Sequence, residues 1–125
     1  MDRTIRIGGE KGRDVKFRAT ARTPRLYRLI TGRDMIIDMN NLSKAFKETK
    51  KKRDEGAIGN LTTEHYMIFE DSAYVMARHA DPEMKEQSAD EWLDTFDMFD
   101  IFEIFPQLME LWNLNTVQTS ESKKK

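Results

Sequence analysis

Residues 3–18 read RTIRIGGEKGRDVKFR. Polar and apolar side chains alternate in RTIRI and again in DVKFR, with a glycine-bearing connection between them, which is the pattern of a β-hairpin. Ile5, Ile7, Val15 and Phe17 then share one face. A lone hairpin is marginal in water, so that face must be covered by helices. The expected fold class is α+β: a mostly α-helical single domain with an N-terminal β-hairpin packed on four to five helices.

The rest of the chain supplies those helices. Thr23-Pro24 is a helix start, with Thr23 as N-cap and Pro24 in the first turn; Leu26, Leu29 and Ile30 follow at helical spacing up to a stop at Gly32. A second helix begins near Asp34 on the stripe Met35, Met39, Leu42, Phe46 and ends in KETKKKRDEG, a solvated tail ahead of Gly56. After the loop GAIGNLTT, Thr62 or Thr63 caps a third helix with the stripe Tyr66, Phe69, Ala73, Met76 or Ala77, and Ala80, which Asp81-Pro82 ends. Ser88 and Glu91 form a capping box for a short fourth helix carrying Trp92, Leu93 and Phe96. Asp100 and Glu103 offer a similar cap to the last helix, within which Pro106 predicts a kink or a restart. The domain is expected to span 1–114, with a polar, disordered tail over 115–125.

Composition narrows the function. The 125 residues suit one domain, 34% are charged, and there is no cysteine, so neither disulfides nor thiolate metal sites are expected. The N-terminus has no apolar core of a signal peptide and no window approaches a membrane span, which suits the cytoplasm. Net charge is −1, yet residues 1–53 carry about +10 and residues 54–125 about −11. Such segregation marks either a fold that neutralises itself or surfaces for charged partners, including a second copy of the chain.

Catalysis finds little support. His65 and His79 lie fourteen residues apart with no metal-ligand spacing, the carboxylates follow outer helix faces, and the glycines of GGEKG suit a hairpin turn better than a phosphate loop. No enzyme activity, cofactor or metal is expected. A basic stripe of Arg18, Arg22, Arg25, Arg28, Arg33 and Lys47–Arg53 keeps nucleic-acid binding or regulation as the alternative, although no recognition-helix motif or interleaved aromatic supports it.

The strongest pattern is C-terminal. Phe99, Phe102, Phe105, Met109 and Trp112 recur at helical spacing, and Ile101, Ile104, Leu108 and Leu111 form a second stripe beside them. An apolar arc this wide belongs either to a helix central to the core or to a docking face. The candidate partner-binding residues are therefore Phe99, Phe102, Phe105, Leu108, Met109 and Trp112, with Arg25, Arg28 and Arg33 as charged contacts.

The order of segments also carries a likeness. The basic hairpin, TPRLYR with GRD beyond it (23–34), AYVMARHADP (73–82), EWLDTFD (91–97) and PQLMELWNLNT (106–116) together span nearly the whole chain. In that combination the chain resembles the tail assembly chaperones of long-tailed, siphovirus-type bacteriophages and prophages of Gram-positive bacteria. The resemblance implies a non-enzymatic protein of the host cytoplasm, absent from the finished virion, that binds the tape measure protein and recruits the major tail protein. It also implies a longer frameshifted product in many members, with Lys123–Lys125 as the place where an adenine-rich stretch would encode the slip.

Overall fold

A computed structural model describes residues 1–54, 61–98 and 100–112, the side chains of 49–54 apart. The expected hairpin is present. Strand β1 (Asp2–Ile7) pairs antiparallel with β2 (Arg13–Arg18), with Ile5 opposite Val15, Arg3 opposite Phe17 and Ile7 opposite Arg13. The shared face buries Ile5, Ile7 and Phe17, leaves Val15 half-buried, and has Arg3 and Arg13 at its rim. The connection is a 3₁₀ turn at Gly9–Lys11, entered through Gly8 and Gly9 at positive φ.

Four helices follow: α1 (Thr23–Thr31), α2 (Met35–Asp54), α3 (Thr63–Ala80) and α4 (Ala89–Leu93). A 3₁₀ turn at Ile101–Ile104 leads into a helical segment, α5, over 105–112. The single α+β domain of a hairpin and five helices matches the expectation. Pro106 falls in the first turn of α5, where its missing N–H has no intrahelical acceptor to lose, so the chain restarts there.

Helix α3 is the centre. Residues Ser72, Ala73, Tyr74, Val75, Met76 and Ala77 are consecutive and all buried, so every side of this stretch is covered. Strand β2, α1, α2 and α4 all pack on α3. Two aromatic hubs complete the core. Trp92 of α4 lies 6.4 Å edge-on from Phe17, 6.0 Å from Tyr74 and 4.9 Å from Phe96, tying the hairpin to α3 and α4. Phe105 of α5 lies 4.7 Å from Phe69, 5.1 Å from Phe46 and 6.0 Å from Tyr66, tying α5 to α2 and α3. The buried hydroxyl of Ser72 donates to the Met39 sulfur at 3.1 Å.

Several local expectations change. Thr23 is not the cap of α1: it is buried within the first turn, its hydroxyl accepts from the Thr20 N–H at 2.8 Å, and Arg22 precedes the helix. The buried face of α1 is Thr23 and Tyr27, with Leu26 half-buried, while Leu29 and Ile30 are exposed. Tyr27 takes the core position because its ring is longer and its hydroxyl reaches Asp38 of α2 and Arg33 of the intervening turn. Asp34 does cap α2, accepting from the Ile37 N–H at 3.1 Å. Thr62 is the cap of α3, and its N–H donates to His65 Nδ1 at 3.0 Å, the role a glutamate plays in the usual capping box. Ser88 Oγ accepts from the Glu91 N–H, whereas the Glu91 carboxylate reaches one residue further back, to the Gln87 N–H. Phe96 lies beyond the end of α4, and Asp100 makes no side-chain cap. The loop over 55–60 and the tail over 115–125 lie outside the described residues.

Two measurements check this packing. A Cβ on Gly12 would sit 1.8 Å from the Ile7 carbonyl oxygen, whereas one on Gly9 (φ +66) meets nothing within 4 Å. In thermal melts Gly9→Ala is expected to cost about 1–2 kcal/mol from its left-handed backbone, and Gly12→Ala about 3 kcal/mol or more because backbone must move. Equal losses would contradict the turn geometry. Glu70 on α3 has its pKa raised, first by burial and then by Asp71 and Asp90. A carboxyl that titrates higher in the folded chain removes stability as pH rises from its unfolded towards its folded value. Glu70→Gln should therefore raise Tm at neutral pH, and the gain should vanish as pH falls through that window.

Candidate interaction surface

The candidate contact residues separate into buried and exposed sets. Phe105, Leu108 and Met109 are buried in the core with Ile101, Ile104 and Leu111. In the folded chain they form no surface. Phe102 is half-buried, its ring 5.0 Å from that of Tyr66, and Trp112 is half-buried and engaged with its surroundings. Phe99 lies outside the described residues. The wide C-terminal arc is thus mostly a core arc, which the sequence left open. Its width follows from position, since α5 is wedged between α2 and α3 on one side, while Arg3 of β1 reaches the Gln107 carbonyl at 3.3 Å and Glu110 at 3.3 Å.

Arg33 is likewise occupied inside the fold. Its Nε donates to Asp38 Oδ2 at 2.9 Å, and its Nη2 donates to Asp71 Oδ2 at 2.6 Å and to the Tyr27 hydroxyl at 3.0 Å. The Tyr27 hydroxyl in turn donates to Asp38 Oδ2 at 2.6 Å. One guanidinium thus clasps α1, α2 and α3 together. Burial and then the bond to Asp38 hold the Tyr27 hydroxyl protonated well above the usual phenol range. Hydrogen bonds to Asp71 and Asp38 raise Arg33 above an ordinary arginine. Arg25 and Arg28, by contrast, are exposed on α1 and make no ion pair among the described residues.

Among the described residues, most of the exposed large apolar side chains lie away from the C-terminal stripe, with Met98 (72% exposed) the exception beside it. Leu29 (73% exposed) and Ile30 end α1, and Ile36 and Ile37 (60% exposed) open α2, so both pairs flank the short turn through Gly32. Ile37 shares a helical strip with Asn41, Lys44 and Glu48. That strip borders an open groove of about 560 Å³ between α2 and α3, whose far wall carries Met67 (54% exposed), Ile68 and His65. Leu29 has the exposed cations Arg25 and Arg28 within one turn of it on α1, and Ile37 has Lys44 on its own strip of α2. The signal was present in the sequence: MII at 35–37 and LI at 29–30 place adjacent apolar residues on a helix, and adjacent residues point about 100° apart. Only one of each run can face the core.

Among the described residues no cluster of histidine and carboxylate side chains is arranged to hold a metal, and no helix is long and apolar enough to cross a membrane. No protein-family model matches the chain, and no curated protein or solved structure matches it.

The clasp and the surface respond differently to substitution. Arg33→Ala leaves Asp38 and Asp71 without their shared cation and is expected to cost about 1–3 kcal/mol, with Arg33→Lys recovering only part, because an ammonium cannot hold three acceptors in a planar fork. Arg28→Ala should stay within about 0.5 kcal/mol of the parent. Chemical denaturation of the three variants reads both, and a stable Arg33→Ala chain would remove the clasp from the account.

Proposed function

We propose that the chain is a non-enzymatic tail assembly chaperone of a long-tailed phage or prophage, acting in the bacterial cytoplasm by binding the tape measure protein and recruiting the major tail protein. The observation that carries this reading is the set of exposed apolar side chains at the α1–α2 corner and on the groove wall, Leu29, Ile36, Ile37 and Met67, with Arg25, Arg28 and Lys44 exposed on α1 and α2. A chaperone for a long, apolar, helical client needs apolar contacts that leave water only when the client binds, flanked by charge that keeps the free protein soluble. These side chains supply both, on helices joined by the Arg33 clasp. The methionine on the groove wall suits a client of varied sequence, since its unbranched side chain repacks easily.

The resemblance, which runs from the N-terminal hairpin to Thr116, suggests the particular client, and the exposed apolar side chains support a surface for it. The contact residues move accordingly, from the buried Phe105, Leu108 and Met109 to the α1–α2 corner and the groove beside α3. Segregated charge remains the basis for self-association, through which many copies would line one client.

Co-purification with a tape measure protein from the same phage tests the proposal. Retention of the client is expected for the parent chain and for Phe102→Leu, and loss is expected for Leu29→Glu combined with Ile37→Glu, with Tm unchanged. Phe105→Ala should instead lose about 3–5 kcal/mol of stability, because it empties the aromatic hub. A chain that ignores the tape measure protein and retards duplex DNA in a salt-sensitive way would replace this reading with the nucleic-acid one.

A further inference from the structure

A second cleft, of about 230 Å³, opens between the start of α1 and the end of α3. Its rim is basic, formed by Arg18, Arg22, Arg78 and His79, and its floor is apolar, formed by Leu26, Ile30, Val75 and Pro82. Arg22, Leu26 and Ile30 are spaced four apart along one strip, separate from the strip of Arg25 and Leu29.

The cations here are incompletely neutralised. Arg18 is held by Asp2 through two hydrogen bonds, at 2.9 and 3.1 Å. Arg78 donates only to neutral oxygens, the Glu86 carbonyl at 2.9 Å and the Tyr74 hydroxyl at 3.3 Å. The Arg22 side chain has no ion pair among the described residues. Among the described residues the lining thus carries three guanidiniums, one of them paired with Asp2, and Asp81, just past the end of α3, lines a neighbouring cleft instead. His79 Nε2 lies 2.9 Å from the Thr20 hydroxyl.

We infer that this cleft binds a peptide segment of a partner protein in which carboxylate side chains alternate with aliphatic ones. The rim supplies charge-assisted donors for carboxylates, and the floor buries the aliphatic neighbours. No Phe, Tyr or Trp lines the cleft, so it lacks the large stacking platform of a single-strand binder, and a free inorganic oxyanion would gain nothing from the apolar residues. His79 is a natural reporter. Its pKa is lowered by burial first, then by Arg22 and Arg18 and the Met1 ammonium, with Asp2 acting the other way, so a carboxylate arriving at the rim must raise it.

The inference holds whether or not the client is a tail protein, and its test is separate from tape measure binding. A short labelled peptide of leucine, alanine and glutamate is titrated against the full chain by fluorescence anisotropy, while NMR follows the His79 ring. The glutamate peptide should bind, raise the His79 pKa, and lose affinity by about tenfold in Arg22→Ala. Ile30→Glu, which keeps the rim arginines, should also weaken it. Wild-type affinity in Arg22→Ala, equal binding of the glutamine version of the peptide, or an equal His79 shift with inorganic phosphate alone would each overturn the inference. So would sedimentation showing a dimer of the parent chain that Arg22→Ala dissolves, since the occupant would then be a second copy.

Discussion

Complete burial of one helix turn and a half, Ser72–Ala77, constrains everything else in this protein. A helix has sides facing all directions, so burying consecutive residues requires neighbours on each of them. The small side chains of Ser72, Ala73 and Ala77 let those neighbours come close, and the large ones of Tyr74 and Met76 fill what remains. Strand β2, α1, α2 and α4 occupy the surrounding positions. The hairpin, unable to stand alone in water, gains its stability from the same contact that finishes covering α3.

Two kinds of interaction fix the order of these neighbours. Aromatic hubs at Trp92 and Phe105 set which elements meet, because a large ring contacts several partners at once and leaves a void when misplaced. The clasp of Arg33, Tyr27, Asp38 and Asp71 sets their angle, because a planar guanidinium accepts its partners only in a narrow geometry. Arg33 is partly exposed, so water screens part of the pairing energy, while the same hydrogen bonds also fix orientation. With α1 and α2 held this way, Leu29, Ile36 and Ile37 have nowhere to turn but outward. The proposed client face is a consequence of how the core is filled.

Much of this was legible in the residues. The hairpin, the proline-led α1, the stripe of Met35, Met39, Leu42 and Phe46, and the restart at Pro106 follow from period and local stereochemistry, which act over a few residues. The site was less legible. Phe105, Leu108 and Met109 have the chemistry of an interface and the location of a core, and Arg33 has the chemistry of a free cation and the location of a clasp. Composition and spacing describe a side chain's chemistry, and they are the same in both places.

By itself, then, the sequence determined the elements and their apolar faces, because dihedral preferences, caps and periodicity are local properties of the chain. Tertiary structure alone decided which helix is central, which apolar faces find cover, and which charges find partners. Those outcomes depend on contacts between residues far apart in the chain, such as Arg33 with Asp71 and Phe46 with Phe105. Helix α5 had the wider apolar arc, yet it is α3 that is enclosed on every side over Ser72–Ala77, where small residues admit close neighbours, while α5 keeps Pro106, Gln107 and Glu110 at the surface.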